Sequence, residues 1–343
     1  MAAVNAKLRA LPSGVHRIQI AVPFLGTVNV WLLAGDPLTL VDTGPADDAS
    51  RESLEAALHA LGHSIADIEL VLLTHHHLDH SGLAGAIAAA SGARIAATAG
   101  TAAWGSSYHE RAALEAAFGR RLLAEHGVPP NVIESSEAFW EHIIRNSANF
   151  TTTDVLGDGD IVRAGGCGYR VVERPGHSVT DTLFVNDESG VAIVGDHILP
   201  EITSGAEVVP LEPWGSVRRQ ALLQYLDGLR GTVAMELDVL LPGHGPEILD
   251  HRLLIKKRIE FHERRLELVA ASIEAEGSSA FEIAQRVWDE ETARTQAVLV
   301  IWEVVGHLDV LAERGLVVEV VGDTGSRVFR PSVRGAHAPT ARF

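Results

Sequence analysis

The sequence predicts an α/β chain of 343 residues, with a helical insertion and a differently built C-terminal segment. Three observations predict it. Over the first 100 residues, short apolar runs bounded by Gly, Pro and Asp alternate with stretches of helical spacing. A block from about 103 to 150 reads as helices joined by "VPPN" and interrupts the strands. From about residue 251 the order becomes helix, helix, then hairpin.

Taken in order, "HRIQIAVP" reads as a strand ending at Pro23, "TVNVWLLAG" as an alternating strand stopped by Gly35, and "PLTLVDTG" as a short buried strand running into Asp42. "ASRESLEAALHALG" has helical spacing at Leu54, Ala57, Leu58 and Leu61 and a Gly stop. "DIELVLLTH" is a buried strand that leads into a histidine cluster. "GLAGAIAAASG" is a small-residue helix ending at Gly92, and "ARIAATAG" a further strand. Within the insertion, "SYHERAALEAAFGRRLLAEHG" and "SSEAFWEHIIRNSANF" read as helices joined by "VPPN". Strands return at "GYRVVERPG", "DTLFVND" and "GVAIVGDHIL", then a helix at "RRQALLQYLDGLRG" and a last strand at "DVLLPGHGP". The long charged helix from His251, the short helix "SAFEIAQRVW", the amphipathic "AVLVIWEVVGHLDVLAERG" and a hairpin with a "GDTG" turn have the order of a winged helix. The boundary between the two parts is placed near residue 250.

Composition narrows the function. The chain is 46% hydrophobic, enough for a sizeable core. Its formal net charge of -17 makes a polyanionic partner unfavourable, because nucleic-acid binding leaves a basic footprint. Residues 251–343 hold 13 Lys+Arg and 14 Asp+Glu, whereas residues 1–250 hold the remaining 15 and 31, a shift that also marks a boundary. The one cysteine, Cys167, excludes an intramolecular disulfide and reads as a buried, inert thiol. The N-terminal stretch has no apolar core of secretory type, and the richest apolar runs are broken by charge short of a membrane span. The expectation is a soluble cytoplasmic protein.

The chemistry concentrates in "LLTHHHLDHSG", residues 72–82. Residues two apart in an extended segment face the same side, so His75 and His77 can converge on one metal while His76 points away. Asp79 and His80 follow at the turn into a helix, where they can face a second metal. Imidazole and carboxylate suit Zn²⁺, with Mn or Fe as alternatives. A solvated His-rich loop is the bland alternative, and it does not account for this spacing behind a buried strand. Later strand ends supply "RPGHS" with His177, "AIVGDHIL" with Asp196 and "LPGHG" with His244. Gly or Pro beside each lets the backbone turn sharply. Together these residues can furnish two adjacent sites.

The stretch His75-x-His77-x-Asp79-His80 resembles the HxHxDH signature of the metallo-β-lactamase-fold hydrolases, and the early "VDTG", then His177, Asp196 and His244, follow in that family's order over roughly residues 15–250. The resemblance implies a four-layer αββα sandwich with metals at one edge. It implies that His75, His77 and His177 bind one metal, that Asp79, His80 and His244 bind the other, that Asp196 bridges them, and that Asp42 anchors a ligand histidine. It also implies a metal-bridging hydroxide as nucleophile, with Asp79 orienting it or carrying a proton to the leaving group. His77 stands where flavodiiron oxidoreductases carry a carboxylate, which disfavours di-iron redox chemistry.

The tail resembles the winged-helix-like domain of the branch that includes β-lactamase-like protein 2, a single-strand endoribonuclease. The matching stretches are "HERRLEL", "FEIAQRVW", "GHLDVLAERGLV" and "FRP". The candidate recognition helix carries Glu303, Asp309 and Glu313 against Arg314 alone, so packing over the site or a homodimer interface is expected of it rather than nucleic-acid reading. The insertion is rich in aromatics: Trp104, Tyr108, Phe118, Phe139, Trp140 and Phe150. They read either as an ordinary helical core or as an apolar lid. Trp104, Tyr108 and His109 follow a strand end and can reach the pocket, with Tyr108 able to donate to a substrate carbonyl. The preferred function is a two-zinc hydrolase of an ester, thioester or lactone of a small molecule. A metal-dependent endoribonuclease and a winged-helix regulator with a structural metal site stand as alternatives.

Overall fold

Alternation along the strands decides the layering. In the computed structural model, which describes residues 11–22, 26–212, 215–322 and 325–332, Val28, Val30 and Leu32 of one strand face one apolar cluster while Trp31 and Leu33 face another. Such a strand is buried on both sides, which is why its sequence is almost continuously apolar.

The elements, in chain order, are β1 (Val15–Val22), β2 (Gly26–Leu33), β3 (Thr39–Val41), α1 (Asp48–Ala60), β4 (Leu70–Leu72), α2 (Leu78–Ser81), α3 (Ala84–Ser91) and β5 (Arg94–Thr98). The insertion follows as α4 (Ala99–Gly105), α5 (Tyr108–Glu125), α6 (Pro130–Ser135) and α7 (Glu137–Arg145). Then come β6 (Asp154–Leu156), β7 (Ile161–Ala164), β8 (Cys167–Glu173), β9 (Thr182–Asn186), β10 (Val191–Gly195), α8 (Ala221–Val233) and β11 (Val239–Pro242). The tail contains α9 (His251–Ala271), α10 (Ala280–Val287), α11 (Glu290–Thr295), α12 (Ala297–Glu313), β12 (Val317–Val321) and β13 (Arg327–Pro331).

One sheet runs β1-β2-β3-β4-β5-β6 and the other β11-β10-β9-β8-β7. The first is antiparallel over β1 to β3 and parallel from β3 to β6. The second is antiparallel except for the β10–β11 pair. Between the sheets lie Trp31, Leu33, Leu70 and Leu72 from one and Val171, Phe184, Ile193 and Leu241 from the other. The outer face of the first sheet packs Val30, Leu32 and Val71 on Leu54 and Leu58 of α1 and Ile87 of α3. The outer face of the second packs Val172, Leu183 and Leu240 on α8 and α12. Three apolar layers between four structural layers make the αββα arrangement.

The tail does not hang free of this body. Along α12 only Leu299, Ala312 and Glu313 are exposed. A Cβ at Gly306 of α12 would lie 3.1 Å from Leu222 Cβ of α8, and Trp302 meets Phe139 and Trp140 of α7 edge to face at 6.0 and 6.1 Å. Arg218 ties the loop before α8 to the tail through Asp309 Oδ1 at 2.6 Å and Glu319 Oε2 at 2.9 Å. Arg327 joins Glu319 to Glu125 of α5, both at 2.8 Å.

Some expectations needed correction. Cys167 is exposed, not buried: it opens β8 beside the Gly165–Gly166 turn of a hairpin whose partner is the edge strand β7. The strands β6 and β7 and the helices α6 and α11 were not anticipated. The two strands are short edge strands that leave Val155 and Ile161 in solvent, so they lack the buried alternation that marks a strand. Pro23, His337 and the central Asp323 and Thr324 of the "GDTG" turn lie outside the described residues. No described helix is long and apolar enough to cross a membrane.

Burial keeps the Asp309 carboxyl above its usual range even with Arg218 beside it. Replacing Arg218 by Met leaves that carboxylate without its cation, and removal of one partner of a buried pair costs about 3 kcal/mol. Urea denaturation of Arg218→Met should show a loss of this size at neutral pH. A change below about 0.5 kcal/mol, the level of an exposed pair, would show that the strap does not hold the tail.

Candidate metal centre

Strands that end at one edge of the sandwich deliver the polar residues. Asp42 follows β3 directly, His75 and His77 follow β4, and Asp79 and His80 sit on the single turn of α2. His177 lies in the loop after β8, Asp196 directly follows β10, and His244 lies two residues beyond β11. The structure brings all of these sequence-predicted residues together.

The first group is a triangle of nitrogens. His77 Nδ1 lies 3.1 Å from His75 Nε2 and 3.0 Å from His177 Nε2. The edge of a zinc tetrahedron built with bonds of 2.0–2.1 Å is about 3.3 Å, so one cation fits the three atoms. The second group places Asp79 Oδ2 3.3 Å from His244 Nε2 and 3.7 Å from His80 Nε2. Asp196 stands between the groups: Oδ1 is 3.4 Å from His80 Nε2, while Oδ2 is 3.3 Å from His244 Nε2 and 3.8 Å from His177 Nε2.

The rings are aimed by what lies outside them. The Asp42 carboxylate accepts from Thr74 N at 2.9 Å, from Thr74 Oγ1 at 2.8 Å and from His80 Nδ1 at 2.8 Å. Thr74 Oγ1, having given its proton to Asp42, accepts from His75 Nδ1 at 3.0 Å. His177 Nδ1 donates to the Gly205 carbonyl at 2.7 Å and His244 Nδ1 to the Thr27 carbonyl at 2.6 Å. Each of these four histidines therefore turns its Nε2 inward. His77 is reversed: Nδ1 faces inward and Nε2 lies 2.9 Å from Glu207 Oε1.

Close approach at this edge requires glycine at two points. Gly195 has φ +47°, and a Cβ there would lie 2.6 Å from Thr74 Oγ1. A Cβ at Gly243 would collide with Asp196 Oδ1 and lie 2.6 Å from His80 Cε1. The "VGD" and "PGHG" stretches thus serve the packing of the cluster as well as its turns.

His76 turns away, as the strand period predicts. Its ring stacks on Trp104 at 4.0 Å and its Nδ1 lies 2.9 Å from Thr180 Oγ1. Tyr108 is buried with its ring 6.5 Å from that of His76. His109, anticipated near the pocket, instead faces the carbonyl of Ser147 at 3.2 Å. Trp104, Tyr108, Phe118, Trp140 and Phe150 are buried, so they form a helical core, and the rings of Trp104 and Tyr108 also stand beside His76 of the histidine loop. Glu207 was missed. It is one acidic residue in a loop of no regular period, and no single-sequence signal marks it.

The residues fit a bound cation. His80 Nε2 and Asp196 Oδ1 are buried with no hydrogen-bond partner, a state that costs about 1–3 kcal/mol per group. Burial opposes charge throughout the site, yet Asp79 is carried down to about 2 by His80 and His244, and His244 up to about 10 by Asp196 and Asp79. Burial lowers His77 too, but Glu207 carries it to about 9. His75, with burial and three neighbouring histidines against it, is held well below its usual range.

The metallo-beta-lactamase superfamily model matches residues 23–244. The chain belongs to that superfamily. Its sequence is similar to the probable metallo-hydrolase YqjP of Bacillus subtilis strain 168, 30% identical over 303 residues, which cover 87% of this chain and 92% of that protein. It is 29% identical over 178 residues to a hydroxyacylglutathione hydrolase of Cereibacter sphaeroides, covering 51% of this chain and 52% of that one. A metallo-beta-lactamase family protein of Thermus thermophilus superposes with a TM-score of 0.78 at 27% identity, over 94% of this chain and all of the other. The superfamily member is thus a metallo-hydrolase, and its fold implies divalent metal binding with the His and Asp cluster as candidate ligands.

In the metal-free protein at pH 7.5, His77 and His244 carry ligand-side protons, since their values of about 9 and about 10 lie above that pH. A cation must displace them. Titrating a divalent metal into chelator-stripped protein in weak buffer should release protons, and affinity should strengthen as pH rises from 6 to 8. Metal uptake without acidification would contradict this account of the site.

Proposed function

We propose that this chain is a dinuclear metal-dependent hydrolase of an ester, thioester or lactone of a small molecule. The observation that carries the reading is the meeting of two ligand sets on one carboxylate, Asp196. We assign His75, His77 and His177 to one ion, Asp79, His80 and His244 to a second, and Asp196 to both. Nitrogen and carboxylate donors without a thiolate suit Zn²⁺, with Mn or Fe as alternatives. When bound, such a pair activates water and polarises an acyl oxygen.

The remaining work falls to side chains of the chain itself. Asp42 fixes the tautomer and direction of His80, and Thr74 does so for His75. Asp79 orients the nucleophile or passes a proton to the leaving group. Tyr108 is assigned as a hydrogen-bond donor to the substrate carbonyl. Burial, followed by the charges of Glu115, Glu207 and Asp79, pushes its phenol well above the usual range and keeps the proton in place. The similarity to a hydroxyacylglutathione hydrolase favours acyl substrates. We read residues 251–343 as a winged-helix-like unit. Its α12 is buried within its own chain and offers no free face to a nucleic-acid groove, which weighs against the nuclease alternative.

Four measurements test the reading. Metal analysis should find two ions per chain, and Asp42→Asn should weaken binding about 10- to 100-fold in chelator competition; unchanged affinity would remove Asp42 from the site. Asp79→Asn should lower kcat at least about 100-fold, and normal turnover with normal metal content would assign Asp79 neither role. Finally, the zinc-loaded protein should hydrolyse members of an ester, thioester and lactone panel, with loss in His77→Ala. Cleavage of single-stranded RNA that vanishes in His77→Ala, with no ester turnover, would overturn the proposal.

A further inference from the structure

No helix or strand runs through residues 199–209, yet this segment meets two of the cluster histidines at three points. The Gly205 carbonyl accepts from His177 Nδ1 at 2.7 Å. The backbone N–H of Glu207 donates to the His177 carbonyl at 3.0 Å. The Glu207 side chain then reaches the neighbouring ring, with Oε1 2.9 Å from His77 Nε2. Fixing an irregular segment costs backbone entropy at every residue, so such contacts need a hold from outside. The tail provides one. Arg258 of α9 donates from Nη2 to the Leu199 carbonyl at 2.9 Å and to the Pro200 carbonyl at 3.1 Å. At the far end, Arg219 N donates to the Val209 carbonyl at 2.8 Å, one residue after the Arg218 that pairs with Asp309 and Glu319.

We infer that Glu207 is a positioning residue for the ion assigned to His75, His77 and His177, and that the tail, through Arg258, sets how firmly that ion is held. The inference rests on that ligand assignment and is independent of the bond that is cleaved. Its physical basis is a pairing of ring and carboxylate. Behind His75 stands the Thr74 hydroxyl and behind His177 the Gly205 carbonyl, both uncharged. Behind His77 stands a carboxylate. The second ligand set has the same device in Asp42 behind His80. Each set thus holds one imidazole backed by a carboxylate, which fixes the ring and raises its donor strength. The two devices come from different parts of the chain. Asp42 follows β3 directly, whereas Glu207 lies on the segment that α9 holds. The outer partners of His80 and His244 are Asp42 and the Thr27 carbonyl, neither of which belongs to that segment. Loosening the segment therefore weakens one ion selectively.

The test follows zinc alone into the chelator-stripped full chain, at constant pH and buffered free zinc, by long-range 1H–15N spectra of the histidine rings. In Glu207→Gln the zinc midpoint at His77 and His177 should rise about 10- to 100-fold, while that at His80 and His244 stays within about threefold. Glu207→Asp, which keeps the charge one methylene short of His77, serves if the first variant does not fold. Arg258→Met, which touches no ligand, should raise the same two midpoints about 2- to 30-fold. Arg258→Lys, still able to reach one carbonyl, should recover part of that loss. Unchanged midpoints in Glu207→Gln would overturn the role of Glu207 and leave the ligand assignment standing. An equal rise at all four rings, with a lowered Tm, would also overturn it, since general loosening would then suffice. A shift in Glu207→Gln with none in Arg258→Met would overturn the part given to the tail. Rings of His77 and His177 that do not respond to zinc in the native chain would overturn the ligand assignment itself, and the inference with it.

Discussion

The site depends on one buried carboxylate. Asp42 is the one described non-glycine residue with a positive φ, 61°, a conformation that Asp tolerates better than most residues. That bend turns its side chain back under the histidine loop, where Thr74 N, Thr74 Oγ1 and His80 Nδ1 all donate to it. A buried carboxylate without such donors would be costly, and the three together repay the burial. Because Thr74 is held on both its backbone and its hydroxyl, the start of the "HHHLDH" loop cannot shift without breaking this set. His75 and His80 inherit their directions from it.

The sandwich supplies what the loop cannot. Residues as far apart as 42 and 244 meet because β3, β4, β10 and β11 end at the same edge of two packed sheets. Each strand end is fixed by apolar side chains on both faces, so the polar side chains beyond it start from rigid positions. The insertion and tail extend the support. Trp104 braces His76 from α4, and α12 backs α8 at Gly306 and Leu222. The Arg218, Asp309, Glu319, Arg327 and Glu125 ion pairs then connect the tail, the loop before α8 and the insertion into one polar seam. That seam anchors the C-terminal side of the loop bearing Glu207, the residue that contacts His77.

How much of this can be read from the sequence follows from the range of each interaction. His75 and His77 were legible because a strand's period of two is local and the buried run before them is unmistakable. Asp196 and His244 were legible because glycine beside a polar residue at a strand end announces a close approach, and a Cβ at Gly243 would indeed strike Asp196 and His80. The layers were legible through continuous apolar runs such as "VNVWLL". Glu207 was not, since it reaches His77 from a loop whose course depends on α8 and the tail. Cys167 was misjudged because a thiol's burial is set by the hairpin it opens, and an edge hairpin exposes it. The α12 stretch reads as amphipathic, yet it is buried on nearly every face. Its partners come from the second sheet's helix and the insertion, and those contacts span more than 80 residues of chain, beyond the reach of a local pattern.

The charge pattern of the site follows from which groups stand beside which. Five imidazoles and two carboxylates share a space closed to solvent on most sides, an arrangement that would be prohibitive if every group kept its usual protonation. The protein resolves this by dividing the histidines. His75, surrounded by other rings, is held neutral, whereas His80 and His244, beside Asp79 and Asp196, are held protonated. Protons thus stand in for cations between the carboxylates. The Nε2 atoms of His80 and His244 that hold protons beside these carboxylates present lone pairs once those protons leave. The acidity of the centre is built into the carboxylates that the strand ends deliver.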